Sequence, residues 1–223
     1  MIRVVTLLLC LSSLRGNLLL KGRLQGVELT ITSGESTYAL GALPEITYSP
    51  GKVVIDFGDF SSSMPPFLKR KVKLVIGPEY NNLILDITAE FSVVRILMDH
   101  PCDTLFMDVS SKFSRLFVNC STVSQCIIKG SFLNGKMEIG GDMDKVTVKL
   151  SALGSTIVIK EGYKTGNFEF SSEASNIFLP AGRHIIQTDG FFNRREFVGP
   201  HQRSFKSLVK LTGNFNKIFV EGE

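Results

Sequence analysis

The chain has 223 residues, of which 43% are hydrophobic and 21% are charged, and it contains 17 Phe and no Trp. This hydrophobicity excludes an intrinsically disordered protein, and the length allows a sizeable core without disulfides or metal ions as staples. The formal net charge of +4 is too small to indicate nucleic-acid binding, which needs a clustered basic face. The composition therefore indicates a globular protein of one large or two small domains.

The first residues of the chain have the order of a secretory signal peptide. Arg3 precedes an apolar stretch at residues 4–11, and the small polar residues Ser12 and Ser13 follow it. This stretch is too short to cross a bilayer, which takes about 20 apolar residues. We predict that residues 1–16 are a signal peptide of an exported or cell-envelope protein, and that membrane association occurs only through this segment. The alternative is a cytoplasmic protein in which residues 4–11 form a first buried strand or short helix.

The cysteine pattern matches neither a zinc site nor a disulfide framework. If Cys10 leaves with a signal peptide, the remaining three cysteines include at least one free thiol. Cys120 and Cys126 flank a polar turn at residues 121–125. They either pair or are small buried hydrophobic residues at strand ends, and the sequence leaves both alternatives open.

Short apolar triplets return at a nearly fixed interval of about 10 residues in the second half of the chain. They lie at residues 105–107, 116–118, 127–129, 137–139, 146–148, 157–159, 168–170 and 177–179. Ser, Gly, Asn and Asp separate them, and these are turn-forming residues. Since no window has a sustained helical period, the pattern predicts short strands joined by turns.

Two all-β architectures fit such a pattern: an antiparallel sandwich or barrel, and a β-solenoid in which two strands make a coil of about 20 residues. The even spacing favours the solenoid, because stacking forces each coil to match its neighbour. Within strands the apolar residues alternate with polar ones, as at residues 146–150, which is expected of a wall with one face inside. The fold class predicted is an all-β β-solenoid with strand-turn repeats of about 10 residues.

The chain divides into two sections that we expect to form one continuous domain. Residues 17–90 have strands with more varied, proline-punctuated connections, and we predict an amino-terminal β section that caps the open end of the solenoid. Residues 91–223 are predicted to form the solenoid body with a carboxy-terminal cap. Residues 188–207 interrupt the rhythm and are predicted to be one long loop, followed by two strands at 208–211 and 218–220.

Several short motifs resemble one known group of bacterial proteins. They are a β section opening at 27–34, the strand and turn ladder, the Asn-Ile-Phe-Leu-Pro segment at 176–180, the Gly-Phe-Phe-Asn loop at 190–193 and the Ile-Phe-Val-Glu-Gly ending at 218–222. Together they resemble the toast-rack family, which includes adhesin-like β-repeat proteins and the carboxy-terminal domain of LiaF-like envelope proteins. The resemblance implies a single-stranded right-handed β-helix at the bacterial envelope, with no assigned activity. The turn at 121–125 departs from the family pattern because it lacks glycine.

No motif in the sequence indicates an enzyme or a cofactor site. The G-x-S-x-G elbow, the Walker A loop and the dinucleotide fingerprint are absent. Asp142 and Asp144 could be the carboxylate pair of a β-helix carbohydrate-active enzyme, and Asp99, His100 and Asp103 could hold a metal. Aspartates in such positions usually hydrogen-bond the turn itself. We therefore predict no catalytic residue, metal or cofactor, and retain the carbohydrate-active enzyme as the alternative.

The loop at 188–207 is the candidate partner-binding site. It alternates aromatic with basic residues, which is the composition of interface anchors. The candidates are Phe191, Phe192, Arg194, Arg195, Phe197 and Arg203. The alternative is that the phenylalanines fold back to cap the solenoid. The function predicted is a non-enzymatic envelope or exported scaffold, structural or adhesin-like, that contacts a protein or glycan or associates with itself.

Overall fold

The computed structural model describes residues 16–40, 45–49, 52–61, 70–198 and 205–221, so the predicted signal peptide and Arg203 lie outside the described residues. Within these residues the chain is all-β, as predicted, and contains no helix that could cross a membrane. The strands are β1 (Gly16–Gln25), β2 (Val27–Ser33), β3 (Tyr38–Leu40), β4 (Glu45–Ser49), β5 (Lys52–Ser61), β6 (Arg70–Ile76), β7 (Tyr80–Glu90), β8 (Val93–Met98), β9 (Cys102–Lys112), β10 (Arg115–Leu133), β11 (Lys136–Leu153), β12 (Thr156–Ile159), β13 (Tyr163–Glu173), β14 (Asn176–Leu179), β15 (Arg183–Asp189), β16 (Arg194–Val198), β17 (Phe205–Thr212) and β18 (Lys217–Glu221).

The strands pair in two parallel ladders. Ladder 1 has the order β5-β1-β7-β9-β10-β11-β13-β17-β15. Ladder 2 has the order β6-β2-β8-β10-β11-β12-β14-β18-β16. The long strands β10 and β11 contribute one half to each ladder. We call one strand of ladder 1 together with the ladder 2 strand that follows it a layer. The connections between these two strands, taken through all the layers, are called the corner.

Inward-facing side chains of the two ladders form the core. On ladder 1 the register aligns Leu85, Met107, Ile128 and Val148 with Phe168, and all five are buried. Parallel in-register pairing places equivalent residues of successive layers directly above one another, so that each apolar position becomes a continuous column. Full burial of such a side chain contributes about 1.5–3 kcal/mol.

The first strands of the chain do not lie at the end of the ladders. β1 pairs with both β5 and β7, and β2 pairs with both β6 and β8, so the first layer lies between two later ones. Beyond them β4 pairs with β5 and β3 pairs with β6, and these two pairings are antiparallel. Residues 17–90 therefore supply strands to both ladders as well as the antiparallel strands at this end. The sheet order is mixed for this reason.

The last strands of the chain also return to an inner position. β17 pairs with β13 on one side and β15 on the other, and β18 lies in the same way between β14 and β16. The prediction of one long loop at residues 188–207 is wrong, because β15 extends to Asp189 and β16 spans Arg194–Val198. The sequence of the layer formed by β15 and β16 does not show the alternation of a strand, because two of its inward positions are polar. These positions are Thr188, which pairs with buried Leu211, and Arg195, which pairs with buried Ile218.

Buried serine and asparagine side chains connect successive layers at the corner. The amide of Ser92 donates to Ser114 Oγ (3.0 Å), and the amide of Ser155 donates to Ser175 Oγ (3.2 Å). The series continues as the amide of Ser175 donates to Asn216 Oδ1 (3.1 Å). Each side chain satisfies an amide that would otherwise be buried without a partner where the strand pairing is interrupted. We call this series of hydrogen-bonded serine and asparagine side chains, which lies at the edge of the apolar core, the seam.

The three cysteines in the described residues are free and buried. Of the two alternatives left by the sequence, Cys120 and Cys126 are thus the small buried hydrophobic residues and do not pair with each other. Burial raises the pKa of the Cys120 thiol to about 12, and burial likewise raises the pKa of Cys126. Neither thiol has the lowered pKa of a reactive cysteine.

Candidate partner-binding surface

The acidic residues considered for chemistry lie on the surface and hold local contacts. The Asp144 carboxylate accepts from Lys164 Nζ at 2.5 Å, with both side chains exposed. Asp103 Oδ2 accepts from Asn81 Nδ2 at 2.6 Å, and His100 Nδ1 lies 3.2 Å from the Pro101 carbonyl oxygen. Across the described residues, no three His, Cys, Asp or Glu side chains come together as a metal site would require. The structure places Asp142 and Asp144 on β11 and Asp103 on β9 rather than in turns, and Asp144 and Asp103 contact side chains on the neighbouring strands β13 and β7.

The corner brings several phenylalanines to the surface in a left-handed backbone conformation. In eight layers one residue at the corner has a positive φ, and in six of them it directly precedes a serine or asparagine, whereas Gly26 precedes Val27 and Asn134 precedes Gly135. In chain order these residues are Gly26, Phe91, Phe113, Asn134, Gly154, Ala174, Phe192 and Phe215, with φ between 48° and 63°. Glycine and asparagine are ordinary there, whereas phenylalanine is not.

The four corner phenylalanines stack as two pairs toward opposite ends of the corner. Phe91 and Phe113 have ring centroids 5.3 Å apart and an interplanar angle of 8°. Phe192 and Phe215 have centroids 5.2 Å apart and an angle of 7°. The second pair is the more exposed, at 78% and 63%, against 42% and 46% for the first. The second pair exists only because β17 and β18 lie next to β15 and β16.

Folding stability alone does not account for phenylalanine at these positions. A left-handed conformation costs an ordinary residue roughly 1–2 kcal/mol, while ring stacking contributes about 0.5–1.5 kcal/mol for the pair. The stacked pair therefore does not repay the strain of its two members. Gly26 and Gly154 occupy the same position in other layers, so a strain-free residue is available to this fold. Exposed side chains held under strain are typical of contact surfaces.

A network of asparagine side chains fixes the loop that carries the predicted site. Asn193 Oδ1 accepts from the amide of Asn216 at 3.1 Å, and Asn193 Nδ2 donates to the Gly213 carbonyl oxygen at 2.8 Å. The amide of Phe191 donates to Asn214 Oδ1 at 2.8 Å. The loop is thus joined to the neighbouring layer by side-chain bonds as well as by strand pairing. Its aromatic rings are presented from a fixed backbone.

The structure brings together four of the predicted candidates. Phe191 and Phe192 are 76% and 78% exposed, and Arg194 and Arg195 follow them on β16. Arg195 on β16 also donates to Thr188 Oγ1 on β15 at 3.0 Å, and this bond joins the two strands of the outermost layer. Phe197 lies on β16 as well. None of the four is buried in the core of the layers.

Sequence reasoning missed the other corner phenylalanines, Phe91, Phe113 and Phe215. A three-residue pattern could have found them: phenylalanine, then serine or asparagine, then a basic residue. It occurs at 113–115, 192–194 and 215–217, and Phe91-Ser92 begins a fourth instance that ends in valine. The middle residue of each is a member of the buried seam, which explains the spacing.

A second surface feature is a groove of about 1450 Å³ on the outer face of ladder 2. Its lining includes Phe117, Val158, Phe178 and Phe219, and the last two rings stack at 4.6 Å. Basic residues along it are already paired: Glu138 contacts Lys160 and Lys136, and Arg95 contacts Glu28. The hydrogen bond from Lys160, with a further one from Lys136, lowers the pKa of Glu138. The groove is apolar with a neutralised rim.

Three solved structures of bacterial proteins match this chain over almost its whole length. A protein from Bacteroides fragilis, provisionally named an adhesin, has a TM-score of 0.59 and 13% identity over 98% of this chain and 97% of that chain. A provisionally named cell adhesion protein from Clostridium sporogenes has a TM-score of 0.35 and 11% identity over 99% of both chains. A provisionally named lipid binding protein from Parabacteroides distasonis has a TM-score of 0.43 and 12% identity over 97% of this chain and 96% of that chain. No protein-family model and no curated protein matches the sequence. At 13% identity, the Bacteroides fragilis structure shows a shared all-β fold.

Proposed function

We propose that this chain is a non-enzymatic, adhesin-like interaction module built as a β-solenoid, in which the two ladders are the walls of a single-stranded right-handed β-helix. The parallel register supports this architecture, since partners such as Ile128 and Val148 are 20 residues apart. The sequence resemblance to the toast-rack and adhesin-like β-repeat proteins supports the same assignment, as does the fold shared with a provisionally named adhesin. The order of residues 1–16 supports export to the cell envelope.

The exposure of Phe191 and Phe192 is the observation that carries the proposed function. Both rings project from the outermost layer, where hydrogen bonds through Asn193 and Asn214 hold the backbone. Aromatic side chains on a fixed backbone lose little conformational entropy on binding, and they are frequent anchors of interfaces. With the predicted candidates Arg194, Arg195, Phe197 and Arg203 they compose the proposed contact surface for an envelope protein or glycan.

The experiment compares two double variants of the full chain on an array of bacterial-envelope and host-surface glycans and proteins. Phe191→Ser with Phe192→Ser removes the proposed anchors. Phe91→Ser with Phe113→Ser is the matched control, because it removes two exposed rings from the other end of the corner. We expect the wild-type chain and the control to bind the same probe equally, and the Phe191/Phe192 variant to bind it about tenfold or more weakly. Equal binding by the two variants, or no probe bound by the wild-type chain, would contradict the proposal.

A further inference from the structure

Exposed apolar side chains of this protein concentrate along the corner. Six of the nine large apolar residues that are exposed in the described part of the chain lie there. They are Phe91, Phe113, Leu153, Phe191, Phe192 and Phe215. Because layers stack at the strand spacing of about 4.8 Å, the seven layers from Phe91 to Phe192 span about 29 Å. The exposed apolar residues thus form a ridge in five of these seven layers, interrupted in the layers of Asn134 and Ala174.

Basic residues form a second line directly beside this ridge. The first strand residue after the corner in ladder 2 is basic in four layers, and the register places these residues in one column through Thr156 and Asn176. The basic residues are Arg115, Lys136, Lys217 and Arg194. Lys136 shares Glu138 with Lys160, while Arg115, Lys217 and Arg194 are exposed. The apolar line is thus flanked by a cationic line on its ladder 2 side, as in an amphipathic membrane-surface element, while its ladder 1 side carries Glu90, Lys112, Glu173 and Asp189.

The arrangement of the rings along the corner favours a planar partner over a globular one. In both pairs the rings stack nearly parallel, with centroids 5.3 Å and 5.2 Å apart, which is close to the strand spacing. Taken over its whole length, the corner is too narrow to give a globular protein the broad complementary surface of a stable interface. It does match a planar surface into which side chains can enter.

We propose that the corner docks on an anionic lipid bilayer, with the exposed phenylalanines entering the interfacial region and the flanking basic residues contacting anionic headgroups. The charge complementarity of the basic column selects anionic over neutral lipid. This inference goes beyond the proposed contact with a protein or glycan, since it needs both ends of the corner rather than the outermost layer alone. It also places membrane contact on the folded layers, in addition to any contact through residues 1–16.

The test is co-sedimentation of the full chain with two kinds of vesicle, phosphatidylcholine alone and phosphatidylcholine with about 30% phosphatidylglycerol, at about 0.1 M salt. We expect binding to the anionic vesicles, with weaker binding to the neutral ones. Raising the salt to about 1 M should weaken the binding, because the Debye length falls to about 3 Å. Equal binding to both vesicles, or binding to neither, would overturn the proposal.

Variants then locate the contact. Phe113→Ser with Phe192→Ser, and separately Arg115→Glu with Lys217→Glu, should each lower binding to anionic vesicles by about tenfold or more. Phe178→Ser is the matched control, since Phe178 is an exposed, stacked ring on ladder 2 away from the corner, and it should bind as wild type does. If corner variants bind as well as wild type, the contact is elsewhere in the chain and the proposal is wrong.

The vesicle experiment and the array experiment have independent outcomes, so one proposal can be wrong while the other holds. Loss of vesicle binding in the Phe113/Phe192 variant does not depend on any glycan or protein probe. A chain that binds an array probe but no vesicle would retain the proposed function and overturn the membrane inference. Association with a second copy through the corner would give a concentration-dependent dimer by sedimentation and no vesicle binding, which also overturns it.

Discussion

The amide of Ser155 donates to the hydroxyl oxygen of Ser175 at 3.2 Å, although 20 residues separate them along the chain. Ser155 Oγ in turn accepts from the amide of Gly135 at 3.2 Å and lies 3.0 Å from the Phe132 carbonyl oxygen, to which it donates. One hydroxyl group thus joins its own layer to the layer before it. This relation repeats along the corner and fixes the conformation in which the exposed phenylalanines are presented.

Replacement of Ser155 should be costly because it removes the partner of the half-buried Gly135 amide and the buried hydrogen bond to the Phe132 carbonyl oxygen. We expect Ser155→Ala to lower the free energy of unfolding by about 1–3 kcal/mol, measured by urea denaturation. Ser110→Ala is the matched control, because its hydroxyl contacts Ser131 on the exposed surface, and it should change stability by less than about 0.5 kcal/mol. Equal losses from the two variants would show that the buried seam has no special role.

Two positions of the corner allow a reciprocal test of backbone strain. Ala174 has a φ of 50° and Gly154 a φ of 59°, in successive layers. We expect Ala174→Gly to leave stability unchanged or raise it by up to about 1 kcal/mol, and Gly154→Ala to lower it by roughly 1–2 kcal/mol. A Cβ on Gly154 would also lie 2.3 Å from Asn134 Oδ1, which must move. Thermal denaturation of both variants gives the answer, and a clear loss in Ala174→Gly would refute the strain argument.

The repeat of apolar triplets could be predicted from the sequence because it depends on local residue order. Alternation at residues such as Val146, Val148 and Leu150 directly indicates which face of a strand is buried, and all three are buried. Turn residues between the triplets mark most strand ends for the same reason. This information is enough for the all-β class and for the position of most strands.

The order of the layers could not be predicted, because it depends on pairing between distant parts of the chain. The local sequence around Leu208 and Phe219 fits a layer that stacks after β15 and β16 as well as a layer inserted between two others. Thr188 and Arg195 hid the strands of the outermost layer, since its interior is partly open to solvent and tolerates polar residues. The corner phenylalanines were missed because a left-handed φ is a property of the folded backbone.

The buried thiols make the free energy of unfolding depend on pH in the alkaline range. Burial raises the pKa of Cys126, while in the unfolded chain the thiol titrates near its ordinary value of 9.0. Above pH 9 the unfolded state therefore loses a proton that the folded state keeps, so the stabilising contribution is complete below pH 9 and is lost as the pH rises further. Each such thiol lowers stability by at most about 1.4 kcal/mol per pH unit, a slope that is reached only well above pH 9.

Cys126→Ala should remove its share of this dependence. We expect the variant to be less stable than wild type at pH 7.5 because of the smaller side chain, and to lose about 1 kcal/mol less between pH 9 and pH 10. Urea denaturation at the three pH values measures the difference, while all other titrating groups are common to both proteins. Parallel pH profiles would show that the Cys126 thiol titrates alike in the folded and unfolded states.

Insertion of the last layer, β17 with β18, brings Phe215 against Phe192 and leaves β15 and β16 outermost. Ile185 and Asn167 both align with Leu208, from opposite sides. On a background with Cys10 replaced by Ser, Ile185→Cys with Leu208→Cys should form a disulfide under mild oxidation, because neighbouring strands lie about 4.8 Å apart. Ile185→Cys with Asn167→Cys should not, because two strand spacings, about 9.6 Å, separate these positions. A disulfide in the 185–167 pair and none in the 185–208 pair would mean that the layers stack in chain order and that β17 is not inserted between β13 and β15.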